Sequence, residues 1–246
     1  MGNVGEAAQG EPALPDRAGG LPDRAGGLPA WRRPLAVVAH PDDESFGLGA
    51  VLARFAEQGS APSVLCFTHG EASTLHAVEG DLHRVRAGEL ASAAQLLGLA
   101  HVDLLEEPDG RLDDVDPRQL DQAVDEAVRR HDADGLLTFD TTGVTGHPDH
   151  IAAAHAAISA GKARDLPVLG WTLPETVAQT LNAESGAAFA GRPPGQLNLV
   201  LRVSRTTQLH AVHAHPSQAV PGSVLWRRLE LLGDHEYLTW LVPPGR

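Results

Sequence analysis

Two stretches hold side chains whose types and spacing could do chemistry. Ala39-His40-Pro41-Asp42-Asp43-Glu44 follows the apolar run Leu35-Ala36-Val37-Val38, so an imidazole and a row of carboxylates stand where a strand gives way to a loop. The stretch Asp140-Thr141-Thr142-Gly143-Val144-Thr145-Gly146-His147-Pro148-Asp149-His150 follows apolar residues 136–139 in the same way, and an alanine-rich helix is expected over 151–160. Neighbouring carboxylates beside an imidazole repel one another and lose hydration on folding, a cost that a cation offsets. A bound metal ion is the first expectation. A lone histidine on such a loop is usually structural, but His40 in one loop can meet His147 and His150, three apart at a helix start, at one sheet edge.

The elements that must position these loops alternate along the chain. Further strands are expected over 62–67, 102–105 and 136–139, and the segments between them show helical periodicity closed by Gly59 and Gly98 or opened by Pro117. A β-α-β-α-β-α-β order with crossover-length helices implies an α/β fold, a Rossmann-like three-layer sandwich with a mainly parallel sheet. In such a sheet ligands bind beyond the C-terminal strand ends, where both histidine loops fall. Strands over 168–173, 197–203 and 237–242 and helices near 204–213 and 224–232 follow, while residues 175–194 read as a surface excursion that borders the site. Gly47 and Gly49 do not make a dinucleotide fingerprint, because His-Pro-Asp-Asp occupies the required turn; close helix packing is expected of them. Arg86 and Glu89, three apart on a helix, are placed to pair.

With 246 residues, 42% of them hydrophobic, the chain can bury one substantial core, and one domain over 31–246 is expected. Residues 1–30 carry the repeat Leu-Pro-Asp-Arg-Ala-Gly-Gly twice in tandem and are expected to form a disordered tail. A net charge of −13 argues against nucleic acid and anionic membrane surfaces and favours a small-molecule partner. Cys66, the single cysteine, lies in an apolar run and reads as a core residue of a reduced, cytoplasmic protein. No apolar run would span a bilayer, and Glu6 stands where a myristoylation signal wants Ser or Thr.

The two histidine motifs resemble the Ala-His-Pro-Asp-Asp-Glu and Gly-His-Pro-Asp-His motifs of the LmbE-like deacetylases, the PIG-L family of zinc-dependent enzymes that remove N-acyl groups, mostly from N-acetylglucosamine-type sugars. Thr68, Gly70-Glu71, Arg86-x-x-Glu89, Asp109-Gly110 and His215-Pro216-Ser217-Gln218 are similar to secondary motifs in the same order. The resemblance implies His40, Asp43 and His150 as metal ligands for zinc, with ferrous iron acceptable to the same donors, and Asp42 as general base. It implies His147 as oxyanion stabiliser or proton donor, with Asp149 orienting that imidazole or capping the helix, and it places Arg86, Glu71 and Asp109 around the sugar.

Thr145 departs from the mycothiol-pathway branches of the family, which resemble one another in carrying an aromatic residue there; this lowers the expectation of a mycothiol-type substrate. The resemblance thus implies an N-deacetylase acting on an amino sugar or its conjugate. Its rivals are a deacylase of a non-sugar amide, such as a glycopeptide or secondary metabolite, and a metal-binding protein without catalysis. Retention of Asp42 speaks against the last, since binding needs only the three ligands.

Overall fold

A computed structural model describes residues 27–75 and 78–245, so the expected tail lies, up to residue 26, outside the described residues. The chain runs β1 (Pro34–Val38), α1 (Asp43–Phe46), α2 (Gly49–Glu57), β2 (Ser63–Thr68), α3 (Leu82–Leu97), β3 (His101–Glu107), α4 (Pro117–His131) and β4 (Gly135–Phe139). It continues through α5 (Gly143–Gly146), α6 (Pro148–Arg164), β5 (Val168–Pro174), α7 (Glu175–Ser185), β6 (Gly191–Arg192), β7 (Leu199–Arg202), α8 (Thr206–His213), α9 (Val224–Leu232) and β8 (His235–Val242).

The main sheet has the order β3-β2-β1-β4-β5-β8-β7, with β6 paired to β5. The pairs from β3 to β5 are parallel, and β8 runs antiparallel to both β5 and β7. This is an α/β fold with a mostly parallel central sheet. Strands β1, β2, β4 and β5 are buried along their whole length, which explains their continuous apolar runs. One core packs Leu52, Phe55, Leu90 and Leu97 of α2 and α3 against one sheet face, and another packs Leu120, Val124, Ala153 and Ala157 of α4 and α6 against the other. The chain order reverses between β1 and β4, placing a topological switch point where the two histidine loops emerge.

Two expectations need correction. The helix anticipated after β1 is interrupted at Gly47 and Leu48, between α1 and α2, while Gly47 packs against the Phe139 ring, where an added Cβ would come within 2.3 Å, as close packing requires. Residues 175–194 are more than an excursion: they hold α7, anchored by buried Ala178 and Leu181 and stopped by Gly186 at φ 70°, and then β6. Two apolar anchors gave too thin a period to read.

Candidate active site

His40 follows β1 directly, and the backbone N–H groups of Ala39 and His40 donate to Asp43 Oδ2 at 3.2 and 2.9 Å. This tight turn forces Asp42 to φ 124°, a conformation that costs a non-glycine residue of order 1–3 kcal/mol. The second loop carries the same mark: Val144, β-branched, sits at φ 64°. It is held there by Ala190, whose N–H donates to the Val144 carbonyl, while Arg192 pairs with buried Asp140 at 3.0 Å. The segment 175–194 thus braces the loop from behind.

His40 Nδ1 and His150 Nε2 face each other at 3.2 Å, and Asp43 Oδ1 lies 3.1 Å from the same His150 nitrogen. The other ring nitrogens fix the tautomers. His40 Nε2 lies 3.0 Å from Asp109 Oδ1 and 3.1 Å from Asp149 Oδ2, so it carries a hydrogen, and His150 Nδ1 faces the Gly143 carbonyl at 3.2 Å, so it does too. With both rings neutral, two lone pairs and a carboxylate oxygen converge on one point, which a proton or a metal cation relieves. His40, Asp43 and His150 fit a metal ion on this ground, as an N/N/O set whose imidazoles are each oriented from behind.

The charges around this point follow. Burial pulls His40 down, but Asp109, Asp149 and Asp43 more than offset it and hold it well above the usual imidazole value. Burial would raise Asp43, but His150 and His40 hold it well below the carboxylate range. Asp42 is pushed up to about 6 by burial, against the lowering effect of Arg86. His147 caps α6, its Nδ1 accepting from the Asp149 N–H at 3.3 Å, so Nε2 bears the hydrogen of the neutral ring. Burial, and then His150 and His40, push its pKa down.

Several residues have other uses than expected. Asp149 orients His40 rather than His147, and it accepts from the Gly110 and Leu112 N–H groups at 2.7 and 3.0 Å. Asp109, expected at the sugar, turns its carboxylate to His40 and to the Ala72 N–H. Arg86, also expected at the sugar or on Glu89, is 3% exposed and donates to Asp42 Oδ2 at 2.9 Å and to the Gly70 and Pro41 carbonyls. Its three partners absorb the guanidinium beneath the loop. Glu89 instead accepts from the Ser217 N–H and hydroxyl at 2.9 and 2.6 Å. Glu71 remains exposed on the rim, accepting from the Asp109 N–H at 3.2 Å.

A buried network behind α1 went unassigned from sequence. Glu44 and His215, both fully buried, meet at 2.7 Å, and Glu44 Oε2 accepts from the Asp42 N–H at 2.9 Å. Glu44 closes the first histidine motif and His215 opens the late His-Pro-Ser-Gln one, but nothing in the sequence joins the two.

The PIG-L family model, described as GlcNAc-PI de-N-acetylase, matches residues 35–161, which include both histidine loops. The chain belongs to the PIG-L family. A relative, the 1D-myo-inositol 2-acetamido-2-deoxy-alpha-D-glucopyranoside deacetylase of Kineococcus radiotolerans, is 32% identical over 219 residues, covering 69% of this chain and 61% of its own. The chain spans 58–65% of the length of that relative and two further deacetylases of the same type. A crystal structure of a deacetylase in the biosynthesis pathway of teicoplanin superposes with a TM-score of 0.62 at 25% identity, covering 85% of this chain and 96% of that one. GalB, the 4-carboxy-2-hydroxymuconate hydratase from Pseudomonas putida KT2440, superposes with 0.67 at 19% identity over 87% and 98%. Since one scaffold serves a hydratase and deacetylases, the reaction of this PIG-L chain has to be argued from its site.

Proposed function

We propose that the chain is a metal-dependent N-deacetylase, a hydrolase that frees the amine of an N-acetylglucosamine-type sugar or a conjugate of one. The observation that carries this reading is the convergence of His40 Nδ1, His150 Nε2 and an Asp43 oxygen on one point, with the Asp42 carboxylate one residue away on the strained turn. Zinc, or ferrous iron on the same donors, would supply a Lewis acid for the amide carbonyl and acidify an attacking water.

The chain's own residues supply the rest. Asp42, its carboxyl pushed up to about 6 by burial, takes the proton as the water oxygen bonds to the carbonyl carbon. His147, neutral and with its hydrogen on Nε2, donates to the carbonyl oxygen as negative charge develops there. As the C–N bond breaks, protonated Asp42 returns its proton to the departing amine. Arg86 holds Asp42 in place, and Asp109 and Asp149 hold His40. Glu71, exposed at the rim, is the residue left to meet sugar hydroxyls.

The relatives' names support an amino-sugar substrate, and the neighbour from teicoplanin biosynthesis supports a glycopeptide conjugate as the second reading. Cys66, a buried thiol, fits the reducing cytoplasm. The test is amine release from N-acetylglucosaminides, a glycopeptide pseudoaglycone and N-acetylated amino acids, run with metal-defined enzyme. Faster turnover of the sugars is expected; equal rates on sugars and amino acids would overturn the amino-sugar reading.

A further inference from the structure

A second group of ligand atoms lies outside the catalytic machinery. His69 follows β2, His83 sits in the first turn of α3, and Glu106 is near the end of β3. The two imidazoles stack with centroids 3.5 Å apart and planes 5° from parallel, and each turns Nε2 to a different oxygen of Glu106, at 3.2 Å for His69 and 2.9 Å for His83.

The hydrogen positions make this arrangement incomplete. His69 Nδ1 lies 3.0 Å from the His83 carbonyl, which only accepts, so the His69 hydrogen belongs on Nδ1 and a lone pair is left on Nε2. That Nε2 is buried, lacks the alignment of a hydrogen bond to Glu106, and has no other partner. His69 itself is only 7% exposed. A buried lone pair facing a carboxylate oxygen calls for a cation between them. A second proton on His69 would meet that need only by stacking a buried imidazolium against another imidazole.

A metal ion meets it without that cost. An N–H turned to a backbone carbonyl, with the opposite nitrogen bare, is how metal-binding histidines are oriented. All three ligand atoms lie within 4.8 Å of one another. We propose that His69, His83 and Glu106 form a second site for a divalent metal of the zinc class, separate from that of His40, Asp43 and His150. Two imidazoles and one carboxylate select zinc over magnesium or calcium and leave one position for water. His83, half-buried with its side chain 41% accessible, has room to tilt its ring out of the stack as the ion enters. The site joins both ends of the β2–α3 connection to β3. That connection also carries Ala72 and Ser73, which bond Asp109 and Gln218. The metal acts as a clasp at the base of the segment that borders the catalytic edge.

Metal-free full-length protein is dialysed against micromolar zinc, and retained metal is counted for wild type, His83→Ala, Glu106→Gln and His150→Ala. Wild type is expected to retain two equivalents, and each variant one. Cobalt substitution of wild type and His150→Ala should both show the visible absorption of a tetrahedral N/O site. Glu106 is solvent-exposed and His83 only half-buried, so circular dichroism should match wild type. A wild type holding one equivalent, or His83→Ala and Glu106→Gln each still holding two, would overturn the proposal. Loss of metal confined to His150→Ala would leave the catalytic site standing and remove the second one.

Discussion

Arg86 places an N–H 2.9 Å from Asp42 Oδ2 while its other donors grip the Gly70 and Pro41 carbonyls, so one buried guanidinium holds the proposed base and the backbone of the loops after β1 and β2. It aims Asp42 and lowers the carboxyl that burial has raised. Arg86→Gln is therefore expected to cut kcat by up to about a hundredfold, the scale of an ångström's misplacement, with KM and bound metal little changed. Steady-state kinetics with elemental analysis checks this. A rise in KM alone would restore Arg86 to the sugar.

Asp42→Asn keeps the size of the side chain and removes its proton-accepting oxygen. Deacetylation should fall roughly a hundredfold or more while metal content stays at the wild-type value. Loss of activity only in step with loss of metal would make Asp42 a ligand.

Asp149→Asn tests the orientation of His40. With one of the two carboxylates behind Nε2 neutralised, metal affinity is expected to drop about tenfold to a hundredfold, measured by competition with a chromophoric chelator. Asp109→Asn should act in the same direction, and the double variant more strongly than either. Unchanged affinity in all three would show that His40 needs no support.

The Glu44–His215 pair predicts a pH-dependent stability. Burial pulls His215 down, but Glu44, Asp42 and Glu89 facing it more than offset that and leave its pKa raised. A raised folded-state pKa means that the charged pair contributes fully below the unfolded imidazole value and that this contribution is lost as pH rises through the folded one. His215→Gln should cost roughly 3 kcal/mol or more in acid, as breaking a buried pair does, and less in alkali. Denaturant melts of both proteins across that range check it, and a gap that widens toward alkali would refute it.

The sequence exposed what is local and left hidden what is not. His40-Pro-Asp-Asp and Gly-His-Pro-Asp-His each sit just past a buried apolar run, so their arrival at one sheet edge followed from strand order alone. Which acid stands behind which imidazole did not, since His40 meets Asp109 after two crossovers and Asp149 after three. Arg86 and Glu89 looked paired because helix spacing is visible in a sequence. Their true partners, Asp42 and Ser217, are 44 and 128 positions away. The pairing of Glu44 with His215, 171 positions apart, is the same problem at greater length.

The facing of His40 and His150 joins residues 110 positions apart, beyond the ends of strands β1 and β4 that become neighbours only when the parallel sheet has closed. An unfolded chain offers no such chelate, because bringing the two loops together requires closing a long loop and pairing strands of high sequence separation. Metal uptake at the proposed site would consequently be a late event in the life of the molecule, a signal that β1 and β4 have found each other. The ion would act as a latch on the finished sheet: a ligand that binds the native chain and not the unfolded one raises the midpoint of thermal unfolding, which should climb with metal concentration.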